Sequence, residues 1–263
     1  QGAGIPVENS KGEWGPGQEE INLKYAESLE MADRLAIYKN GTKEIAHQQG
    51  KAVSFMAKLD NSLAGNSFHL HTSLWDAKTN KPLFADKRDP QGMSQLFKHF
   101  LAGQLEGARE SIFFFAPYIN SYKRFSAGTF APTKAVWSFD NRTTGFRILG
   151  DGPSSMRSEC RIPGADVNPY LAFAAALACG LNGVEKKLKL EPQFKGNAYE
   201  AKNIREVPKT LREAIALLEK SKMLRAAFGD DVIDHYAHVA EWEQSEYDRR
   251  VTEYERIRMF ERI

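Results

Sequence analysis

The sequence predicts an α+β fold. Period-two alternation marks the first two thirds of the chain, apolar stripes at helical spacing fill the last third, and 42% hydrophobic residues over 263 positions supply a sizeable core. That length fits one large domain or two small ones. Net charge is +2 from 36 basic and 34 acidic side chains, and no clustered basic stripe stands out. Nucleic-acid binding and broad attachment to anionic membranes are therefore excluded, and chemistry must come from local charge. Cys160 and Cys179 lie in apolar settings, and no secretory apolar region or run of about 18 apolar residues occurs. A reducing compartment, the cytoplasm, is expected. Gln1-Gly2-Ala3-Gly4 carries no initiator methionine and leads almost at once into a candidate functional turn, as expected of a piece of a longer chain.

Residues 5 to 12 read as a strand, with Ile21 to Tyr25 as its antiparallel partner across a Gly-Pro-Gly turn. Ser28 opens a helix whose Leu29, Ala32, Leu35, Ala36, Ile45 and Ala46 recur at helical spacing until Gly50. Val53, Phe55, Ala57 and Leu59 alternate with Ala52, Ser54, Met56 and Lys58, predicting a strand. A loop at Gly65 leads into another, with Phe68, Leu70 and Leu74 on one face and His69, His71 and Ser73 on the other. Asp76 to Pro90 is a polar excursion. Met93 to Leu105 forms an amphipathic helix, and Ser111 to Tyr118 is an apolar run that fits either a buried helix or a strand. Asn120 to Arg124 leaves this run for a loop with Gly128 and Pro132, long enough for a flap. Ala135 to Asp140 and Gly145 to Leu149 predict a hairpin, and Met156 to Ile162 a strand with Arg157, Glu159 and Arg161 on one face. Asn168 and Pro169 cap a helix over Tyr170 to Leu181. Helices follow at Leu211 to Leu218, Met223 to Phe228 and Val232 to Trp242, and Thr252 with Glu255 forms a capping box for the last.

Three segments carry candidate chemistry. Glu13 and Glu20 flank a tight turn, which reads either as a solvated acidic bend or as half of a metal site. Two imidazoles at i and i+2, and guanidinium groups alternating with a carboxylate, suit a hard divalent ion beside a polyphosphate.

These segments belong to an ordered series: Glu-x-x-Pro-Gly-Gln-x-Glu at Glu13 to Glu20, Gly-x-x-x-His-x-His-x-Ser at Gly65 to Ser73, Asn-Ser-Tyr-Lys-Arg at 120 to 124, Asn141-Arg142, Arg-x-Glu-x-Arg-x-Pro at 157 to 163, and Asn-Pro-Tyr-Leu at 168 to 171. The series resembles the catalytic domain of the bacterial-type glutamine synthetase family over nearly the whole chain. The resemblance implies an antiparallel curved sheet, a half-barrel surrounded by helices, of the glutamine synthetase/guanido kinase catalytic-domain type. It implies ATP and two or three Mg²⁺ or Mn²⁺ ions, with Glu13 and Glu20 as ligands of one ion and His69 and Glu159 of another. Each ion is expected to take a further glutamate from a strand before residue 1, so the small N-terminal domain and first catalytic strands are expected to be missing. Glu8, Tyr25, His71 and Ser73 match nucleotide contacts. Arg142, Arg147 and Arg157 match phosphate-binding arginines, and Gly65, Arg124 and Arg161 match contacts to glutamate and the acyl phosphate. Arg124, Arg142 and Arg161 are the expected catalytic residues. The partners implied are glutamate, an amine or ammonia, and further copies of the chain in a dodecamer of two hexameric rings.

Two departures from the family pattern shape the expected substrate. Ammonia-using members carry a glutamate six residues beyond the Tyr-Lys-Arg arginine; here that position is Phe130, and no carboxylate occurs from Phe125 to Ala135. An apolar wall in place of that charge points to an organic amine. The segments Val251 to Glu255 and Arg258 to Arg262 look more like the branch that makes γ-glutamyl amides from polyamines or ethanolamine. Tyr199 lies near a tyrosine that some relatives adenylylate, but its flanks differ and it reads as an ordinary surface residue. The expected activity is ATP-dependent ligation of glutamate to an organic amine. Its rivals are an ordinary glutamine synthetase and a non-catalytic structural relative.

Overall fold

Strands β1 (Val7–Gly12) and β2 (Glu19–Leu23) form an antiparallel hairpin in the computed structural model, which describes residues 2–262. Four short strands, β3 (Leu70–Thr72), β4 (Trp137–Phe139), β5 (Phe146–Leu149) and β6 (Arg157–Cys160), make a second sheet in the order β3-β6-β5-β4. Alternation divides this sheet into two faces. Leu70, Trp137, Phe146, Ile148 and Cys160 are buried on the inner face, where the buried Ser158 hydroxyl also donates to Gln104 Oε1 at 2.8 Å. The polar residues predicted to share a face turn the other way.

Helices α2 (Gln95–Gly107) and α5 (Pro169–Glu185) pack behind the inner face and build the core with it. Ser94 caps α2 through Phe97 N–H at 3.1 Å, and Asn168 caps α5 through Tyr170 N–H at 3.0 Å. The two helices approach closely because glycine faces glycine. A Cβ on Gly103 would lie 2.2 Å from Cys179 O and 2.7 Å from Gly183 Cα, and one on Gly180 would meet the Phe100 ring at 2.2 Å. α1 (Ser28–Gln48) crosses α5 outside this layer, where Tyr170 donates to Asp33 at 2.6 Å and Lys39 Nζ to the carbonyls of Ala165 and Val167 at 2.8 and 3.1 Å. The run at 111 to 118 resolves as helix: α3 (Ile112–Phe115) is wholly buried and leads into α4 (Ile119–Tyr122). α6 (Leu211–Lys220), α7 (Lys222–Phe228), α8 (Asp230–Asp248) and α9 (Glu253–Met259) follow, the last capped by the predicted Thr252–Glu255 box. Among the described residues no helix is long and apolar enough to cross a membrane.

Several expected elements differ. Residues 51 to 59 form no strand, because side-chain amides take the place of a neighbouring strand. Asn120 accepts from Lys58 N at 3.0 Å and donates to Lys58 O at 2.8 Å, while Asn66 donates to Met56 O at 2.7 Å. The strand at 68 to 74 shrinks to Leu70–Thr72, and the expected 135 to 149 hairpin is absent. β4 and β5 instead run parallel, with Trp137 opposite Phe146. The connector between them turns the chain back through Asp140 at φ 41° and an Asn141 side chain that accepts from Thr143 N at 3.0 Å. The sheet is therefore mixed rather than purely antiparallel, and long helices also occupy the first two thirds of the chain.

Gly103→Ala should gain about 1 kcal/mol in helix propensity but cost about 1–3 kcal/mol in overpacking against backbone that cannot swing aside. Urea unfolding of the full-length protein is expected to show a net loss of stability; a net gain would contradict backbone contact as the basis of the α2–α5 pairing.

Candidate functional site

Glu159 is the centre of the polar face. The register sets His71 of β3 opposite it on one side and Arg147 of β5 opposite it on the other, and Arg157 and Arg161 point the same way two residues before and after it. Its side chain is only 3% exposed, and it gathers Arg161 Nη1 at 2.9 Å, Arg147 Nη1 at 3.3 Å, His69 Nδ1 at 3.4 Å and His71 Nε2 at 3.8 Å. Arg157 Nε donates to His71 Nδ1 at 3.1 Å, and Arg147 Nε to Asp140 at 3.0 Å. Desolvation, reinforced by the guanidinium groups of Arg161 and Arg124, pushes His69 well below the ordinary histidine range. It is neutral, and its Nε2 is buried without a partner among the described residues.

Arg124 lies below this cluster, fully enclosed. Burial pushes its guanidinium down to about 10, leaving it a cation at neutral pH. It donates to Ser67 Oγ at 3.1 Å and to Ile162 O, while its Nε has no acceptor. Gly65 is what lets it fit: a Cβ there would lie 2.5 Å from Arg124 Cγ and 2.8 Å from Ala57 O. Gln18, in the β1–β2 turn, donates to Gly65 O at 3.0 Å and to Asn66 Oδ1 at 2.7 Å, joining the acidic hairpin to this loop.

Glu13 and Glu20 converge as the turn predicts. Lys11 Nζ sits 2.9 Å from Glu13 and 3.4 Å from Glu20, and its hydrogen bond holds the Glu13 carboxyl below the usual carboxylate range. Glu8, Tyr25 and Arg142, the last on the β4–β5 connector, are exposed and form no ion pair or hydrogen bond with Glu159 among the described residues, while Arg142 acts electrostatically on Asp140, the second partner of Arg147. Ser73 accepts from Trp75 Nε1 at 3.0 Å. The structure thus brings together His69, His71, Arg147, Arg157, Glu159 and Arg161, with Arg124 and Gly65 beneath them. It gathers Glu13 and Glu20 separately.

Both donor pairs fit a divalent ion in kind. A neutral imidazole with a free, shielded lone pair beside a buried carboxylate is one; two carboxylates already sharing an ammonium cation are the other. Among the described residues no group of three His, Cys, Asp or Glu side chains is arranged to hold an ion on its own, so each pair needs further ligands.

Residues 1–259 match the family model of the glutamine synthetase catalytic domain. The chain belongs to the glutamine synthetase family. It is 50% identical over 262 residues to gamma-glutamylethanolamide synthetase of Streptomyces coelicolor, covering 100% of this chain and 55% of that protein. It is 41% identical over 263 residues to glutamate–isopropylamine ligase of a Pseudomonas species, covering 99% and 57%. A solved GmaS/ADP complex superposes with a TM-score of 0.90 at 30% identity, over 98% of this chain and 61% of that one. The chain spans about half the length of the curated relatives it matches.

Within this glutamine synthetase fold, two residues beside the site, Lys11 and Tyr199, escape the sequence motifs, as does one contact of Gln18. Lys11 reads as an ordinary strand residue, and its partners become visible only once the turn closes. Gln18 lies inside a motif, but its bond to Gly65 crosses 47 positions. Tyr199 is half-buried rather than on the surface; its hydroxyl is shut off from solvent and has no hydrogen-bond partner. No spacing in the sequence signals that packing.

Replacing Glu159 by the near-isosteric glutamine leaves Arg161 a buried cation without its counter-ion, and Arg147 with Asp140 alone. Glu159→Gln is expected to cost about 3–5 kcal/mol in urea unfolding of the ligand-free full-length protein. A loss below about 1 kcal/mol, the scale of a solvent-screened pair, would contradict the buried cluster.

Proposed function

We propose that this chain is the catalytic part of an ATP-dependent ligase that joins the γ-carboxylate of glutamate to an organic amine. The observation that carries the reading is the set of guanidinium groups around one buried carboxylate: Arg161, Arg147 and Arg157 on the polar face and the enclosed Arg124 below. A site rich in fixed, partly unsatisfied cations suits two anions held together for phosphoryl transfer. The names of the two relatives above, an ethanolamide synthetase and an isopropylamine ligase, support the choice of amine.

An ionised carboxylate has no adequate leaving group, so it is activated first. A γ-carboxylate oxygen attacks the γ-phosphorus of ATP, the bond to ADP breaks, and γ-glutamyl phosphate forms. The amine nitrogen then attacks the acyl carbon, phosphate leaves with the acyl C–O bonding pair, and the nitrogen passes its proton to the departing phosphate. Arg124 and Arg161 hold glutamate and then the acyl phosphate, with Gly65 keeping Arg124 in place. Arg142, Arg147 and Arg157 bind phosphate oxygens, and Glu8, Tyr25, His71 and Ser73 hold the nucleotide. Glu13 and Glu20 would hold one Mg²⁺ or Mn²⁺, and His69 and Glu159 another. Bound there, such ions neutralise charge on the transferring phosphoryl group. The missing ligands are assigned to glutamates outside residues 1–263, on strands that extend the four-stranded sheet into a curved half-barrel.

Phe130 stands where ammonia-using members carry a carboxylate. Its carbonyl accepts from Arg161 Nη2 at 3.4 Å, which sets the residue beside the proposed acyl phosphate. An aromatic ring there favours the apolar part of an organic amine and offers no counter-ion to ammonium. The wholly unburied helix α9 and exposed Trp14 and Phe260, at 85% and 86%, support assembly into a homo-oligomer, proposed as a dodecamer of two hexameric rings. The ATP requirement and the buried free thiols Cys160 and Cys179 fit the cytoplasm.

Phosphate release from ATP and glutamate by the full-length protein with Mg²⁺, compared across ammonium, ethanolamine, putrescine and aromatic amines, tests the proposal. An organic amine is expected to exceed ammonium, and Phe130→Glu to shift the preference toward ammonium. Ammonium exceeding every organic amine would make it an ordinary glutamine synthetase, and no amine-dependent release a non-catalytic relative.

A further inference from the structure

Among the described residues, three buried donors in one neighbourhood have no acceptor: Arg124 Nε, Arg161 Nε and the Tyr199 hydroxyl. The two guanidinium groups and the phenol interact electrostatically with one another, and each guanidinium spends its other nitrogens on fixed acceptors: Ser67 and Ile162 for Arg124, Glu159 and Phe130 for Arg161. A buried polar group left without a partner is costly, so such groups are rare unless a ligand completes them. Tyr199 is the unexpected member. Its ring comes from the segment after α5, far in sequence from every motif of the site.

The surroundings decide what the hydroxyl lacks. The Phe130 amide N–H points at the phenol oxygen without completing a hydrogen bond. Phe130 itself is held at φ 57°, a left-handed conformation uncommon for a bulky residue, with its carbonyl toward Arg161. A backbone donor thus lies on the side of the Tyr199 lone pairs, and the phenol's O–H proton has no acceptor. The nearby charges are cationic, and burial raises the phenol so that it keeps that proton. The complementary partner is an anion with an oxygen acceptor, lying where Arg124 and Arg161 also have donors to spare.

We propose that Tyr199 is a third donor to the carboxylate substrate, giving its phenolic hydrogen bond to the anion held by Arg124 and Arg161. This assignment rests on the ligase reading and adds to it a residue that binds glutamate rather than nucleotide or amine. Tyr199→Phe removes one oxygen and keeps the ring, so the fold and the Phe130 segment stay in place.

Calorimetric titration of the full-length protein with glutamate and, separately, with ATP tests the assignment, together with KM for each substrate. Glutamate affinity is expected to fall about ten- to hundred-fold in Tyr199→Phe, the range for losing a hydrogen bond to a charged group, with ATP affinity, amine KM and melting midpoint unchanged. Unaltered glutamate binding in the variant overturns the assignment, as does an equal loss for ATP, which would make Tyr199 a packing residue. A wild-type protein that binds no glutamate at all overturns the ligase reading and this assignment together.

Discussion

One buried carboxylate against several cations is the constraint on which the rest of the site depends. Glu159, on the inner strand pair of the sheet, is compensated by Arg161 and Arg147 and flanked by His69 and His71. Burying an isolated charge costs several kcal/mol, so its partners must be present wherever the sheet forms. The β3-β6-β5 register meets that demand by setting His71, Glu159 and Arg147 in one row. Positive groups remain in excess over that single acid, and the excess suits polyanionic substrates.

Packing behind the sheet holds this row in place. The glycine contacts between α2 and α5 fix the layer beneath the inner face, and Ser158 ties the strand to α2 through Gln104. Gly65 gives Arg124 its room, and Gln18 fastens the acidic hairpin to the same loop. Two otherwise separate pieces of chemistry, the carboxylates at 13 and 20 and the guanidinium at 124, therefore share one support. That linkage runs from a side-chain amide in a turn, through a glycine carbonyl, to a buried cation.

Much of this was legible where a local rule decides the outcome. Alternation placed Arg157, Glu159 and Arg161 on one face, the Asn168-Pro169 pair announced α5, and Thr252 with Glu255 announced α9. It failed where distant groups intervene. Val53 to Leu59 alternates like a strand, yet Asn120 and Asn66 satisfy its backbone. The 135 to 149 segment has the composition of a hairpin, but the positive φ of Asp140 and the Asn141 side chain turn the chain into a parallel pair. Tyr199 carries no local signal, because its significance comes from being enclosed beside a loop some seventy residues earlier. The Lys11 ammonium between Glu13 and Glu20 is likewise a product of the folded turn.

The proposed ligase holds its divalent ions at two pairs of side chains, Glu13 with Glu20 and His69 with Glu159, around a shared polyphosphate. Anomalous scattering from crystals of the full-length protein grown with Mn²⁺ and a non-hydrolysable ATP analogue tests this central claim directly. The expected map has manganese peaks within coordination distance of both pairs, with the Lys11 ammonium displaced from the carboxylates. Peaks elsewhere, or no peaks with Lys11 still between Glu13 and Glu20, would contradict the claim.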